Sequence, residues 1–157
     1  MTLKHSSTPA SRLESIIITS QLKDRPSRRI DFETENVAFC ELAQHYARNP
    51  RGFPEALTSL ALNLCNADTV GINIKEVHNS VTGFRWVAVA GELKQLMGTV
   101  IPDGFTPCET CLETRRPLLI ANLDRLYPEL RLATLPFVEA LLVPWGLGTG
   151  THGTRGL

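Results

Sequence analysis

The feature that most constrains the fold is a change in the spacing of apolar residues near residue 68. Between residues 31 and 64 apolar side chains recur every three or four positions, which is typical of amphipathic helices. In the stretches 69–77 and 84–91 they alternate instead with other residues, and the run 78–83 between them is rich in turn formers. This pattern predicts two antiparallel strands joined as a hairpin. A chain that combines such helices with antiparallel strands is predicted to have an α+β fold.

Local patterns predict the other elements. Asp31 has the residue type of a helix N-cap, and the helix that it begins is expected to end near residue 49. Its apolar stripe consists of Phe32, Phe39, Leu42, Ala43 and Tyr46. A second helix is predicted over residues 54–64, buried strands over 118–121 and 139–145, and the start of another strand over 99–101. A short helix over 124–130 can be capped by Asn122.

The stretch 104–122 combines a helix start, two cysteines and a following strand. Thr106 and Glu109 have the spacing of a capping box, and Pro107 suits the first position of a helix. The helix is therefore predicted to begin at Thr106. Cys108 and Cys111 would then lie on its first turns, which makes this stretch the first place to look for a site.

Composition and charge limit the classes of function. With 43% hydrophobic and 20% charged residues among 157, the chain has the composition of one ordinary globular domain. Residues 1–30 carry six Lys or Arg against two acidic residues. We interpret this basic leader as a linker, partly helical or disordered, in which residues 11–22 can form a helix or a strand. The domain itself is predicted to span residues 31–157.

The same observations exclude several partners. The chain as a whole has a formal charge of zero, so it lacks the broad positive field that nucleic-acid binding needs. No apolar run approaches the roughly 20 residues of a bilayer span, and the N-terminus lacks the apolar core of a signal peptide. We therefore expect a cytoplasmic protein that binds neither nucleic acid nor membrane.

Several phrases together resemble the GAF domains found upstream of bacterial sensor histidine kinases. They are GINI around Ile72, FRWVAVAG at 84–91, TPCETCLETRRPLLI at 106–120, YP at 127–128 and EALLVPW at 139–145. The resemblance spans about residues 31–154. It implies a central antiparallel sheet of the GAF/PAS type. The helices of 31–64 would then lie on one side of this sheet and the helix at residue 106 on the other. It also implies a small-molecule ligand between the sheet and that second layer, a homodimer formed through the early helices, and control of a histidine-kinase-type output domain.

The resemblance also predicts an incomplete domain. The family continues from about residue 154 into an apolar closing strand and a final helix, whereas this chain has Arg155, Gly156 and Leu157 there. We therefore expect the closing strand and final helix to be truncated and the output domain to lie outside this chain. A missing closing strand would leave a row of unpaired backbone groups in the sheet.

Within that framework we expect a non-catalytic sensory domain whose ligand shifts the balance between two arrangements. The residues expected to contact the ligand are Trp86, Phe105, Cys108, Cys111 and Trp145. Both tryptophans lie on predicted strands, so each can equally belong to the core. The identity of the ligand or cofactor is unknown from the sequence.

The cysteine pair leaves three interpretations open. Cys108 and Cys111 can line a pocket, act as redox thiols, or form half of a zinc site. No second C-x-x-C exists, and Cys40 and Cys65 are predicted to be buried thiols on the two early helices, so we expect no metal. The competing enzyme hypothesis is a thiol-based reductase of free methionine sulfoxide using Cys108 and Cys111.

Two further motifs do not predict a binding site. GAF modules that hold a bilin covalently use a Cys followed by His, and neither cysteine of the pair has one, so no covalent bilin is expected. Gly148, Gly150 and Gly153 spell G-x-G-x-x-G, but the helix and the acidic residue that a dinucleotide site needs do not follow. These glycines are instead predicted to form a turn between the last two strands.

Overall fold

A computed structural model describes residues 13–27, 29–78, 80–104, 106–126, 138–146 and 152–156. The helices in this part of the chain are α1 (Phe32–Arg48), α2 (Phe53–Cys65) and α3 (Cys108–Thr114). The strands are β1 (Thr69–His78), β2 (Val81–Gly91), β3 (Val100–Pro102), β4 (Leu118–Ala121), β5 (Glu139–Gly146) and β6 (His152–Gly156). Short 3₁₀ turns lie at Thr19–Asp24, Pro50–Gly52, Lys94–Leu96 and Leu123–Arg125. The predicted α+β class is confirmed.

The six strands form one antiparallel sheet in the order β3-β2-β1-β6-β5-β4. β1 and β2 are the predicted hairpin, and their register shifts once, between Ile72 and Asn73. Such a bulge changes which side chains share a face of the sheet. Its consequence is that Asn73 stands opposite Trp86 rather than opposite Val87.

The expectation of a missing closing strand needs correction, because β6 fills the place between β1 and β5. Its backbone pairs with Gly71–Ile74 on one side and with Leu142–Gly146 on the other. Strand pairing uses backbone N–H and C=O groups, so a segment without an apolar pattern can still close a sheet. β5 and β6 are antiparallel neighbours, but Gly153, which was predicted to belong to the turn before the last strand, lies within β6 and pairs with Ile74 and Trp145. Residues 147–151 lie outside the described residues.

Helices cover both faces of the sheet. Val70, Ile72 and Ala88 point to the face on which α2 packs, and Thr58 of α2 is buried there. Residues at the alternate positions, including Asn73, point to the opposite face, where Asn73 contacts Cys108 of α3. The predicted two-sided arrangement is therefore confirmed.

The first helices begin and end where the sequence places them. The Asp31 carboxylate accepts a hydrogen bond from the backbone N–H of Thr34 at 3.1 Å, which caps α1 as predicted. α2 ends at Asn66, which adopts the left-handed conformation typical of a helix C-terminus. In the described part of the chain, no helix combines the length and the hydropathy that a membrane span requires.

Much of the predicted apolar stripe of α1 lies on the outer surface of the domain. Only Ala38 of this helix is buried, whereas Phe32, Phe39 and Tyr46 of the predicted apolar stripe are 67%, 68% and 54% exposed. Cys40 on α1 and Cys65 on α2 are also exposed, so the prediction that they are buried thiols is wrong. The helical spacing identified an amphipathic helix correctly, but spacing alone does not say whether the apolar stripe faces this chain's own sheet.

The end of the basic leader packs against the sheet instead of forming a free linker. Residues 13–24, which we call the strap, run along the outer edge of β4. Ile18 donates a backbone hydrogen bond to Leu119 at 2.8 Å, and Ala121 donates one to Ile16 at 2.9 Å. Leu13 is buried in the core of the domain. Within the strap Leu13 and Glu14 are helical, Ile17 forms a single β-bridge with Ile120, and Thr19–Asp24 is a 3₁₀ turn.

Candidate functional site

The layer between the sheet and α3 contains the main core of the described residues. It is formed by Leu13, Phe84, Val89, Leu93, Cys108, Cys111, Leu118, Ile120, Leu123 and Leu142. Trp86 packs against this core and is partly buried. The resemblance placed the ligand in this layer, so its polar atoms are the ones that matter for binding.

Two of the polar side chains described in this layer each have a buried atom without a hydrogen-bond partner. Asn73 is only 3% exposed; its Nδ2 donates a weak bond to Cys108 Sγ at 3.6 Å, and its Oδ1 has no partner. The indole Nε1 of Trp86 is buried and also unpaired. Because Asn73 and Trp86 are opposite each other in the register of β1 and β2, both side chains stand on the same face. A buried polar atom without a partner costs about 1–3 kcal/mol, so this pair requires an explanation.

The Trp86 ring has a fixed place on the sheet. A Cβ added to Gly71 would collide with ring atoms of Trp86, so the ring lies directly over the Gly71 backbone. Glycine at this position leaves the space that the indole ring occupies beside β1. The neighbouring strand thus fixes the position of the indole.

The N-terminus of α3 is held by a tertiary contact rather than by the predicted capping box. The helix begins at Cys108, and Thr106 Oγ1 accepts from the Cys108 N–H at 3.3 Å instead of from Glu109. The Glu109 carboxylate lies 3.4 Å from Lys75 Nζ on β1. An ion pair to the sheet therefore replaces the local bond that the S/T-x-x-E spacing predicted.

Lys75 connects three segments around the layer. Its ammonium lies 3.2 Å from Asp103 and 3.4 Å from Glu109, and 5.5 Å from the centre of the Phe84 ring. Burial lowers the pKa of Lys75, but the hydrogen bonds and charges of Asp103 and Glu109 outweigh this and raise it above its ordinary value. Asp103 Oδ1 is a further buried oxygen without a partner. Lys75 thereby ties the start of α3 to β1 and to the turn after β3.

Cys111 is a protonated, buried thiol. Burial, and to a smaller extent the neighbouring Cys108, raises the pKa of Cys111 to about 12. Its Sγ donates to the carbonyl of Arg116 at 3.5 Å. Nucleophilic attack and zinc binding both require the thiolate. Among the described residues there is also no cluster of three or more His, Cys, Asp or Glu side chains able to hold a metal ion.

The structure brings together three of the five predicted ligand-contacting residues, namely Trp86, Cys108 and Cys111. Trp145 is 39% exposed, and on β5 it has the opposite parity to Leu142, so it points to the other face. Phe105 lies outside the described residues, as does most of the predicted helix at 124–130. In these regions the predictions stay predictions.

Sequence reasoning missed Asn73, Lys75 and Asp103. Asn73 and Lys75 stand at the polar positions of an alternating strand, which normally face solvent. The run G-I-N-I-K gives one hint, since an Asn is unusual in a strand interior. Its burial against Trp86 depends on the bulge in β1 and β2, which no local pattern reveals.

Comparison with known proteins identifies the fold of this chain through solved structures. No family model and no curated protein matches the sequence. Among solved structures, the chain is similar to the GAF domain of a phosphoenolpyruvate-protein phosphotransferase from Coxiella burnetii. The TM-score is 0.64 at 15% identity, over 81% of this chain and 78% of that chain.

Two other structures share the architecture. One is the phycoerythrobilin-bound GAF domain of a cyanobacterial phytochrome, with a TM-score of 0.56 at 11% identity over 83% of this chain and 81% of that chain. The other is free methionine-R-sulfoxide reductase from Neisseria meningitidis in complex with its substrate, with a TM-score of 0.50 at 14% identity over 78% and 66%. The chain therefore has the fold of GAF domains, a fold that these proteins use for different purposes.

Proposed function

We propose that this chain is a non-catalytic sensory domain that binds a small molecule between the sheet and α3. The observation that supports this most directly is the pair of unpaired polar atoms, Asn73 Oδ1 and Trp86 Nε1, on one face of the sheet. A ligand that bonds to both would recover the free energy that each loses when buried alone.

The chemistry of the pair suggests the class of ligand. Asn73 Oδ1 accepts a hydrogen bond and Trp86 Nε1 donates one, while the surrounding side chains are apolar. A small molecule with a donor, an acceptor and an apolar body fits such a layer, because sites of this kind combine a few polar contacts with apolar lining. Cys108 would contact the ligand beside Asn73, and Cys111 would line the layer as a neutral thiol.

We propose further that the domain forms a homodimer through α1. Phe32, Phe39 and Tyr46 recur at intervals of seven residues and are all more than half exposed. A seven-residue repeat of apolar side chains is the pattern by which two helices pair along their length. Burying these rings against a second α1 would remove an exposed aromatic stripe from water.

The output would be a histidine-kinase-type domain or protein, as the sequence phrases at 84–91, 106–120 and 139–145 suggest. A ligand that binds one arrangement of the α3 layer better than another would shift the population of the dimer and thereby the output. The domain would act in the cytoplasm, without nucleic-acid or membrane partners, in keeping with the zero formal charge.

The alternative, a thiol-based reductase using Cys108 and Cys111, is less well supported. A pKa of about 12 leaves the Cys111 thiol protonated at neutral pH, and its sulfur is turned to the Arg116 carbonyl. The reductase of similar fold is only 14% identical to this chain. Turnover of free methionine sulfoxide that is lost on replacing Cys108 or Cys111 with Ser would favour the reductase.

Native mass spectrometry of the purified chain tests the proposal in one experiment. The proposal predicts a dimer and, on each chain, the additional mass of a non-covalent small molecule that is released on denaturation. A monomer would contradict the dimer, and a dimer without any additional mass, after incubation with cell metabolites, would contradict ligand binding.

A further inference from the structure

β4 is the last strand of the sheet, and its free edge is occupied by the strap rather than by another strand. Three backbone groups of β4 bond to the strap: the Leu119 carbonyl to Ile18, the Ala121 N–H to Ile16, and the Leu119 N–H to Thr19 Oγ1 at 2.9 Å. These bonds flank Ile17 and Ile120, which are directly opposed without a bond between them. The strap thus satisfies a sheet edge that would otherwise be open to another chain.

The strap also completes the core beside the candidate site. Leu13 is 8% exposed within the same cluster as Cys108 and Cys111, and Ile16 and Ile17 pack against that cluster. Arg25, the residue after the strap, forms two hydrogen bonds with the Glu139 carboxylate on β5, one of them at 2.7 Å. Removal of the strap would therefore open both the edge of the sheet and the layer under α3.

The connection between the strap and α1 is short, and its described residues are exposed. Arg25 has φ −83° and ψ 143°, the extended conformation that a following proline favours, and Pro26 follows it. Ser27, Arg29 and Ile30 are exposed. α1 begins at Phe32, the first ring of the exposed aromatic stripe. Two chains paired through α1 would therefore each hold a strap close to the other chain.

We propose that in the dimer the two chains exchange straps, so that residues 13–24 of one chain pair with β4 of the other. The inference rests on the homodimer proposed above. The contacts with Leu119, Ile120 and Ala121 are the same in either connection, so the exchange only requires the exposed linker to take another path. Such exchanges form readily once pairing raises the local concentration of the exchanged segment. The layer under α3 is then completed by Leu13 of the second copy.

A disulfide trap distinguishes the two connections. Ile17→Cys and Ile120→Cys, placed together in a chain with Cys40→Ser and Cys65→Ser, put two thiols at a directly opposed, non-bonded pair, which is the geometry that disulfides need. After mild oxidation, we expect a disulfide-linked dimer on a denaturing gel without reductant. The matched control is Leu119→Cys with Leu141→Cys, a pair within the sheet that must form its disulfide inside one chain.

Sedimentation of the same variants before oxidation separates the two proposals. A dimer in solution whose Ile17–Ile120 disulfide lies within one chain overturns strap exchange and leaves the dimer standing. A monomer overturns both. Free thiols at the test pair, with the control pair oxidised, overturn the placement of the strap itself.

A second measurement avoids substitutions in the core. Arg25→Glu in one chain and Glu139→Arg in another each break the exposed ion pair, but a mixed dimer with exchanged straps restores both pairs. Strap exchange therefore predicts that the mixed dimer exceeds its random-mixing share in native mass spectrometry at low salt. A share equal to random mixing, from variants that both dimerise, would overturn the exchange.

Discussion

Asn73 of β1 and Trp86 of β2 stand directly opposite each other under α3, and each carries a buried polar atom without a hydrogen-bond partner. Most buried polar groups in proteins are paired, so two adjacent exceptions are the observation on which the proposed ligand site rests. A bulge in the hairpin creates this pairing, and Gly71 leaves room for the indole ring. Backbone features thus place both side chains.

Replacing Asn73 with Leu should separate stability from binding. The substitution removes an unpaired buried oxygen and loses only a weak bond to sulfur, so we expect the free energy of unfolding to rise by about 1 kcal/mol. Urea denaturation of the ligand-free protein measures this, with Asn63→Leu on the exposed face of α2 as the control. Asn73→Leu should also abolish ligand binding. A loss of more than about 1 kcal/mol would mean that the amide makes a stabilising contact instead.

The rate of alkylation should distinguish the exposed Cys40 and Cys65 from the buried Cys111. Cys40 and Cys65 are exposed and should react readily with iodoacetamide at pH 8, whereas Cys111 is buried with a pKa of about 12 and should react far more slowly. Peptide mass spectrometry after timed labelling of the native protein gives the order. Denatured protein, in which all four thiols should label alike, is the control. Fast labelling of Cys111 in the native chain would restore the reductase hypothesis.

Lys75 should contribute to the free energy of unfolding at neutral pH and lose this contribution in strong base. The pKa of Lys75 is raised by Asp103 and Glu109 despite burial, so the charged form is favoured in the folded state. Its contribution is complete below the ordinary value of 10.5 and is lost as the pH rises above it. Lys75→Met should lower the free energy of unfolding at pH 7 by no more than about 1 kcal/mol, because the pairs are partly exposed.

The pH dependence supplies the control for Lys75. At pH 11 the difference between the wild type and Lys75→Met should be smaller than at pH 7, whereas Lys94→Met, on an exposed turn, should match the wild type throughout. Chemical denaturation at pH 7, 9 and 11 checks both. A difference that stays constant with pH would assign the effect of Lys75 to packing on Phe84 rather than to its charge.

The exposed stripe on α1 should control association. Phe39→Glu places a charge at the middle ring of the stripe, so we expect it to convert the dimer to a monomer without unfolding the domain. Sedimentation velocity measures the mass, and circular dichroism checks the fold. Val77→Glu, at a site on β1 that is 70% exposed, is the matched control and should leave the dimer intact. An unchanged dimer for Phe39→Glu would place the interface elsewhere.

Local patterns predicted most of the elements correctly. The cap at Asp31, the second helix near residues 54–64 and the alternating hairpin depend on neighbours in sequence, and these were confirmed. The docking of the strap on β4 and the pairing of β6 with β1 were not foreseen, because each joins segments that are far apart in sequence. Backbone pairing of this kind leaves little trace in the side chains of the segment that docks.

The fold brings together only some of the residues that were predicted to contact a ligand, for a related reason. Trp86, Cys108 and Cys111 were recognised by residue type, and the core places them together. Asn73 was missed because its burial depends on a register shift, and the capping role of Glu109 was wrong because Lys75 offers it a charged partner. Trp145 was included by its type, although strand parity turns it to the other face.

The most direct test of the sensory proposal compares two tryptophan variants by native mass spectrometry. Trp86→Phe keeps an aromatic ring but removes the unpaired indole N–H, whereas Trp145→Phe makes the same change on the opposite face. We predict that the wild type and Trp145→Phe carry the additional mass of a small molecule and that Trp86→Phe has lost it, through an affinity about tenfold lower. Equal occupancy in all three proteins, or none in any of them, would contradict a ligand held by Trp86.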